Sequence, residues 1–328
     1  MKTTVGRSQI VPGVSTIREA QRFLAKYFTP TRLIAAPFLS QRTGKRVFLK
    51  LEMELPTGSF KVRGAVYALA QRMNRGPIEE VVACSTGNHG AAVAYAAKQF
   101  GIKAKIFLPT NCNPVKRGRI AALGAAIVES GGSDLASALT MTAEYAKQPG
   151  VFFLNDATDE DLPAGPATIG CEILEQLPET NAIVVPMGDT ALIRGIAAAA
   201  KQMAPQVKII GVQAEGAPSY YLSWKEGKVV GTETCDTIAD GLATRTPVAG
   251  NVREVKNLVD DVVLVSEEQM LRAIGTLLVE EHVLAEPAGA ASTAGFLNGD
   301  IECGDHVALI VSGANISREV LRQAISNM

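Results

Sequence analysis

Residues 57–65 have the sequence Thr57-Gly58-Ser59-Phe60-Lys61-Val62-Arg63-Gly64-Ala65, which places one lysine between a turn and a helix. Gly58 and Ser59 allow the backbone to turn closely, and the apolar run after Lys61 predicts a helix. An amine is nucleophilic only when unprotonated, and burial beside Phe60 would lower the pKa of Lys61 in that direction. From the spacing alone, a solvated lysine at a helix start is the more common explanation, because short motifs also match by accident.

Short apolar strands alternate with helices along most of the chain, which predicts right-handed βαβ units, parallel sheets and an α/β fold. The capping-box pattern Thr16-Ile17-Arg18-Glu19 predicts a helix from Thr16 to about Tyr27, and the Thr-, Gly- and Pro-rich stretch 234–252 predicts a loop. The predicted strands are 47–52, 81–84, 103–108, 125–128, 151–154, 182–186, 208–212 and 306–311. The other predicted helices are 91–100, 114–123, 134–146, 165–177, 191–203, 267–280 and 317–325.

Composition and charge limit the kinds of partner. The 328 residues carry a net charge of −1 and no basic run, so neither nucleic acid nor an anionic membrane is expected as a partner. No stretch approaches the roughly 20 apolar residues that span a bilayer, and residues 1–13 lack the apolar core of a signal peptide. The five cysteines are scattered and odd in number, which favours reduced thiols. We therefore expect a soluble, cytoplasmic protein.

Three further stretches follow predicted strands, at the edge of an open α/β sheet where ligands bind. The stretch Ser85-Thr86-Gly87-Asn88-His89-Gly90 precedes a helix whose free N–H groups attract anions. Met187-Gly188-Asp189-Thr190-Ala191 has the same setting and predicts a phosphate cradle. Ser312-Gly313-Ala314-Asn315 follows the last strand. Each stretch is also compatible with an ordinary turn that contains helix-capping residues.

Taken in this order, the four stretches resemble the motifs of pyridoxal-phosphate enzymes of the tryptophan synthase β fold, or fold type II. Within that fold, the chain is most similar to the threonine/serine dehydratase and serine racemase family. The resemblance covers nearly the whole chain and implies a two-lobed α/β architecture with parallel-rich open sheets. It implies that Lys61 carries pyridoxal 5′-phosphate as a Schiff base. The expected large, cofactor-binding domain is 1–76 plus 152–328, and the small domain, which binds the substrate carboxylate, is 77–151.

The resemblance also implies roles for individual residues. Lys61 and Thr86 are the expected catalytic residues, and Ser312 is expected to hydrogen-bond the pyridine nitrogen. The residues expected to bind the substrate are Ser85, Thr86, Gly87, Asn88 and His89. The residues expected to contact the cofactor are Lys61, Phe60, Asn88, Gly188, Asp189, Thr190, Ala191, Leu192, Gly241, Glu286 and Ser312.

Two departures from the family pattern bear on the reaction. Thr86 stands where serine racemases have a serine that exchanges a proton on the face opposite the lysine. Its methyl group crowds that face, which favours a lyase over a racemase. Asp189 stands in a loop that is tetraglycine in the family, where only Gly188 persists. A carboxylate there repels a phosphate dianion unless it points away, for example toward Arg194, or carries a proton.

A third departure concerns a divalent cation that many relatives hold after a Gly-Val-Glu strand. Here Gln213 replaces the glutamate and Ser219 the aspartate, and Ala217 lies between them. Hard cations require carboxylate charge, and Glu215 is displaced by two residues. We therefore expect no metal at this place.

The activity implied by the resemblance is a β-elimination that converts L-threonine, L-serine or a related β-hydroxy amino acid to a 2-oxo acid and ammonia. The implied partners are a small amino-acid substrate and a second copy of the chain in a homodimer. Three alternatives remain open: an amino-acid racemase, a β-replacement enzyme and a non-catalytic protein on the same fold. Since the sequence ends at Met328, we expect no C-terminal domain of the kind that controls biosynthetic threonine deaminases.

Overall fold

The computed structural model of the protein describes residues 11–85, 87–110, 114–131, 135–298 and 301–326. Its strands are β1 Leu33–Ala35, β2 Arg46–Leu51, β3 Glu80–Cys84, β4 Lys103–Leu108, β5 Ala126–Glu129, β6 Val151–Phe153, β7 Ala182–Pro186, β8 Lys208–Ala214, β9 Asp261–Val265 and β10 His306–Val311. Its helices are α1 Val14–Leu24, α2 Pro37–Thr43, α3 Lys61–Asn74, α4 Asn88–Phe100, α5 Pro114–Ala122, α6 Leu135–Tyr145, α7 Ala164–Gln176, α8 Ala191–Met203, α9 Ser219–Glu226, α10 Ala249–Leu258, α11 Glu267–Val279, α12 Pro287–Leu297 and α13 Arg318–Ser326. None of these helices is long and apolar enough to cross a membrane, in the part of the chain that is described.

The strands form two sheets. The larger has six strands in the order β1-β2-β10-β7-β8-β9, and the smaller has four in the order β5-β4-β3-β6. β1 runs antiparallel to β2, and every other pairing between these strands is parallel. The central strands β7 and β10 are almost wholly buried and apolar, as expected for parallel sheet covered on both faces. The predicted α/β fold with parallel-rich sheets is confirmed.

The four-stranded sheet contains the segment at the predicted domain boundary. β6 pairs with β3, with Phe152 opposite Val81. A boundary between residues 151 and 152 would therefore divide a strand, whereas a boundary after Phe153 would leave this sheet whole. The division of the chain into a large and a small domain otherwise stays a prediction.

The capping box predicted at Thr16 is wrong. α1 begins two residues earlier, after Gly13, and Gly13 provides no side-chain cap. The buried positions Ile17, Ala20 and Leu24 form one apolar face, so tertiary packing determines where this helix begins. A capping box is present instead at the start of α11, where Ser266 and Gln269 exchange hydrogen bonds.

The loop predicted for 234–252 is also wrong at its end, because α10 begins at Ala249. Val252 and Val255 are buried on this helix, and Glu254 pairs with Arg194. The elements that the sequence pattern missed altogether are β1, α2, α9, β9 and α12. α12 is buried on all sides from Pro287 to Phe296, so its sequence lacks the amphipathic period by which helices are recognised.

The turn before Lys61 is fixed to the end of β10. Gly58 has a φ of +70°, a conformation that favours glycine, and its carbonyl accepts a hydrogen bond from Ala314 N at 3.0 Å. Phe60 N donates to Ser312 O at 3.0 Å. These bonds attach the first turn of α3 to the centre of the six-stranded sheet.

A buried ionic cluster holds α3 from its other side. Arg63 Nε donates to Glu52 Oε2 at 2.8 Å, and Arg63 Nη1 donates to Glu172 Oε1 at 2.5 Å. Lys50 Nζ lies 2.6 Å from Glu172 Oε2, and Thr31 Oγ1 donates to Glu52 Oε1 at 2.6 Å. All five side chains are buried, so each charge depends on its partners for the hydrogen bonds that water would otherwise supply.

Replacing Arg63 by methionine should therefore be strongly destabilising. The variant leaves Glu52 and Glu172 buried with less compensating charge, and breaking such a pair costs about 3–5 kcal/mol. We expect a fall of that size in the free energy of unfolding, measured by urea denaturation monitored by circular dichroism.

Arg18→Met is the matched control. Arg18 pairs with Glu175 at 2.5 Å, but the two side chains are 37% and 47% exposed. An exposed pair contributes about 0–1 kcal/mol. Equal losses for the two variants would contradict the structural role given to Arg63.

Candidate active site

One pocket is lined by residues that follow the carboxyl ends of β3 and β6 in the smaller sheet and of β7 and β10 in the larger sheet. Every predicted substrate or cofactor residue that is described lies in its wall: Phe60, Lys61, Ser85, Gly87, Asn88, His89, Gly188, Asp189, Thr190, Ala191, Leu192, Gly241, Glu286 and Ser312. Thr86 lies outside the described residues. Segments far apart in sequence thus meet at one place, and their individual roles stay predictions.

Lys61 begins α3, and its amine projects into the pocket. Lys61 Nζ donates to Asp156 Oδ2 at 2.6 Å and lies 5.5 Å from the centre of the Phe60 ring. Burial alone would lower the pKa of Lys61, but the negative charges of Asp156, Asp189 and Glu286 outweigh burial and raise it. Burial thus acts in the expected direction, but the expected net lowering of the Lys61 pKa is wrong for the cofactor-free pocket because the carboxylates outweigh it.

Two charged lining residues were missed by the sequence motifs. Asp156 follows the apolar strand β6 by three positions, so the rule that ligands bind beyond strand ends was a signal that could have found it. Lys116 reaches the pocket from α5 and forms an ion pair with Asp240. An isolated lysine on a helix gives no comparable sequence signal.

The predicted carboxylate loop opens α4. Ser85 Oγ accepts a hydrogen bond from Gly87 N at 3.2 Å, which closes the turn before the helix. His89 is buried in the first turn, and burial lowers the pKa of its imidazole. Its Nε2 lies 2.9 Å from Leu154 O and must donate, because a carbonyl oxygen only accepts. His89 is therefore a neutral ring that anchors the end of β6.

Cys84, one residue before this loop, ends β3. Burial raises the pKa of its thiol to about 12. A thiol with so high a pKa is almost fully protonated at neutral pH and is a poor nucleophile.

Asn88 and Glu286 belong to a chain of side-chain hydrogen bonds along one wall. Asn315 Nδ2 donates to Asn88 Oδ1, and Asn88 Nδ2 donates to Glu286 Oε1, both at 2.6 Å. Burial raises the pKa of Glu286, although Lys116 and the bond from Asn88 oppose that effect. The chain joins α4 to the loops before α12 and after β10, and it orients the Asn88 amide at the pocket surface.

The loop before α8 provides donors for an anion. The backbone N–H groups of residues 188–191 have no acceptor within the described part of the chain, and they lie at a helix N-terminus. A side chain on Gly188 would place its Cβ 2.1 Å from Gly241 O, so only glycine fits there. Thr190 has a φ of +69°, which is strained for a β-branched residue. Its Oγ1 accepts from Arg194 Nε at 3.2 Å.

The Asp189 carboxylate does not pair with Arg194. Arg194 Nη1 binds Glu254 Oε2 at 2.8 Å, whereas Asp189 Oδ1 accepts a hydrogen bond from Thr244 Oγ1 at 3.0 Å. Burial and the negative charge of Asp156 raise the pKa of Asp189 to about 6. The contact of Asp189 with Arg194 that the sequence suggested is therefore wrong, whereas uptake of a proton by Asp189 stays a prediction that its raised pKa favours.

The side chains that replace the cation ligands expected from the resemblance form hydrogen bonds within the protein. Gln213 Oε1 accepts from Tyr221 N at 2.8 Å, and Ser219 Oγ donates to Thr244 O at 2.5 Å. Ala217 is buried beside them. Within the described ranges, no group of three or more His, Cys, Asp and Glu side chains is arranged to hold a metal ion.

Comparison with known families gives a match over most of the chain. Residues 24–313 match the model of the family described as pyridoxal-phosphate-dependent enzymes. The chain belongs to this family. An L-threonine ammonia-lyase of Thermotoga maritima is 38% identical over 310 residues, which are 94% of this chain and 77% of the relative.

Solved structures of this family have the same fold. Maize serine racemase superposes with a TM-score of 0.90 at 30% identity, covering 97% of this chain and 98% of that one. The processed form of threonine deaminase isoform 2 from Solanum lycopersicum gives a TM-score of 0.87 at 30% identity, and the superposition covers 96% of this chain and 94% of that one. The predicted resemblance to fold type II enzymes and the predicted cofactor, pyridoxal 5′-phosphate, are thereby confirmed.

The residues of the pocket fit this cofactor. The Lys61 amine would bond its aldehyde carbon, the free N–H groups of residues 188–191 would hold its phosphate, and Ser312 would face its ring nitrogen. The Ser312 hydroxyl is available for this, because its contact with Ala288 O is long, at 3.4 Å. The Asp189 side chain is hydrogen-bonded to Thr244, and its raised pKa means that it takes up a proton more readily than an exposed aspartate, which would lessen its repulsion of a phosphate.

The elevated pKa of Asp189 predicts a pH-dependent effect of Asp189→Asn in the cofactor-free protein. An acid whose folded pKa lies above its unfolded value of 3.8 contributes stability that is lost as pH rises through about 6. Asparagine does not ionise, so the stability of the variant relative to wild type should increase by roughly 1 kcal/mol between pH 5 and pH 7. Urea denaturation at the two pH values measures it.

Asp305→Asn is the control for this comparison, because the Asp305 side chain is 83% exposed. Its stability relative to wild type should be the same at both pH values. The interpretation of Asp189 fails if its variant shows equally little change.

Proposed function

We propose that this protein is a pyridoxal-phosphate-dependent ammonia-lyase that converts L-threonine, L-serine or a related β-hydroxy amino acid to a 2-oxo acid and ammonia. The observation that carries the proposal is the Lys61 amine, buried in one pocket with two anion-binding loops at helix N-termini. One loop suits the cofactor phosphate and the other a substrate carboxylate. The name of the Thermotoga relative supports threonine as substrate.

The residues of the pocket then have distinct roles in the reaction. The cofactor, when bound, withdraws electrons from the substrate Cα and so weakens its bond to hydrogen. Lys61 Nζ is the group placed to accept that proton, and the turn at Ser85 and Gly87 holds the carboxylate. Closure of the loop would exclude water and align the Cα–H bond with the amine. The β-hydroxyl group takes up a proton and departs as water, which leaves an enamine. The enamine tautomerises to an imine, and hydrolysis of the imine releases ammonia and the 2-oxo acid.

Ser312 supports elimination over reactions that need a long-lived carbanion. A hydroxyl opposite the ring nitrogen does not force that nitrogen to be protonated, as a carboxylate would. The ring is then a weaker electron sink, and rapid loss of the β-substituent is favoured. The homodimer, the cytoplasmic location and the absence of a bound cation stay predictions.

Lys61→Ala should abolish the activity. The variant removes both the cofactor attachment and the proton acceptor, so kcat for 2-oxo acid formation from threonine or serine should fall by about 10³-fold or more. Production of 2-oxo acid is measured with purified protein supplied with cofactor. Lys98→Ala, at an exposed position of α4, is the control and should match wild type. Near-normal activity of Lys61→Ala would reject the assignment.

A racemase is the second candidate, because the maize serine racemase has the same fold over almost its whole length. Racemisation needs an acid–base group on each face of Cα, whereas elimination needs one. At the position expected for the second group, Thr86 has a β-methyl that a serine would lack, and we expect this methyl to disfavour proton exchange.

Incubation with L-serine in D₂O distinguishes the two activities. A lyase should convert substrate to 2-oxo acid and leave little D-serine with deuterium at Cα, as measured by chiral chromatography with mass spectrometry. Faster formation of deuterated D-serine than of 2-oxo acid would favour the racemase. The control, Thr86→Ser, should increase deuterated D-serine if the methyl group suppresses exchange.

A further inference from the structure

Asp156, a carboxylate outside all of the sequence motifs, lies against the lysine of the pocket. Its Oδ2 is 2.6 Å from Lys61 Nζ, and the two side chains are only 19% and 15% exposed. Burial opposes ionisation of both groups, but each charge stabilises the other. Their pairing raises the pKa of Lys61 and holds that of Asp156 far below its usual range. In the cofactor-free pocket, the two groups are therefore an ion pair.

The segment that carries Asp156 is fastened on both sides. His89, from α4 beside the smaller sheet, binds Leu154 O at 2.9 Å. Asn251, from α10 beside the larger sheet, donates through Nδ2 to Ala157 O at 2.9 Å. Because the backbone on both sides of Asp156 is hydrogen-bonded, its carboxylate has little freedom to move. It therefore restricts the Lys61 amine to one position.

Asp156 differs from the other titratable groups around Lys61 because it accepts a direct hydrogen bond from the amine. Asp189 from the loop before α8, Glu286 from the loop before α12 and His89 from α4 act on the amine through space. The Phe60 ring covers one side of the amine at 5.5 Å. A direct, charge-assisted hydrogen bond gives Asp156 the strongest influence on where the proton of Lys61 resides.

We propose that Asp156 is a positioning residue that fixes the Lys61 amine in the pocket and stabilises its protonated form. Two consequences follow. Capture of an aldehyde requires the neutral amine, so Asp156 slows capture near neutral pH. A proton that passes from the substrate Cα to Nζ remains on Nζ, with the Asp156 carboxylate as counter-ion. The second consequence rests on the proposed function, whereas the first does not.

Asp156→Asn tests this with an amide of the same size. In cofactor-free protein, labelling of Lys61 by acetic anhydride is followed across pH 6–11 by mass spectrometry of the peptide containing it. Only the neutral amine reacts, so loss of the carboxylate should move the labelling midpoint at least one pH unit lower. That shift equals an approximately tenfold faster reaction at neutral pH.

Two matched variants make the comparison specific. Asp240→Asn removes a pocket carboxylate that pairs with Lys116, and it should leave the Lys61 profile unchanged. Asp156→Glu keeps the charge and should restore the midpoint at least in part. Labelling of the fully buried Lys50 in the same digests reports whether each variant is folded, and labelling of the exposed Lys98 corrects for the amount of active reagent. Coincident Lys61 profiles for wild type and Asp156→Asn would overturn the proposal.

If acetic anhydride does not label Lys61, the rate of cofactor capture provides a second measurement. The rate at which pyridoxal 5′-phosphate becomes fixed to Lys61, trapped by borohydride, should rise at neutral pH in Asp156→Asn and be unchanged in Asp305→Asn, whose side chain is 83% exposed in wild type and does not line the pocket. An unchanged rate in Asp156→Asn also overturns the proposal. The two proposals can fail separately. If the labelling profile of Lys61 shifts in Asp156→Asn but Lys61→Ala still forms 2-oxo acid from threonine or serine, the ion pair is supported and the proposed function is rejected.

Discussion

The structure depends on the pairing of buried charges around the first two turns of α3. Arg63 satisfies two carboxylates from separate elements, Glu52 after β2 and Glu172 on α7, and thereby fixes the helix that begins with Lys61. Buried charges without partners are too costly to tolerate, so the helix has one orientation in which all of them are satisfied. The reactive amine is placed by the same constraint, two residues before Arg63.

The pocket forms where parallel strands of both sheets end. Parallel strands align their carboxyl ends at one edge, and the loops that follow carry free N–H groups and polar side chains. Here that edge collects a lysine, several carboxyl groups and two helix N-termini. Burial raises the pKa values of Asp189 and Glu286, and the negative charges of Asp156 and Asp240, respectively, add to that effect. A proton held on Asp189 or Glu286 would reduce its repulsion of an anionic cofactor.

Local sequence patterns predicted the bounds of several strands and of one long helix correctly. The strands 103–108, 182–186 and 306–311 and the helix 191–203 have the predicted bounds. α12 was missed because it is apolar on every face, and the start of α1 was misplaced because packing of Ile17 and Leu24 outweighed a capping pattern. Both errors arise where tertiary burial competes with a local signal.

The sequence by itself determined the α/β class, through the alternation of short apolar strands with helices, and the resemblance of four short motifs indicated the family, the lysine and the loops at the strand ends. Each of these depends on residues that are close together in the chain. Only the tertiary structure decided which groups control that lysine. Asp156 is 95 residues away from Lys61 in the chain, and Asp189 binds Thr244 instead of the neighbouring Arg194. A charge's influence falls with distance in space and rises with burial, and neither quantity is encoded in the spacing of residues along the chain.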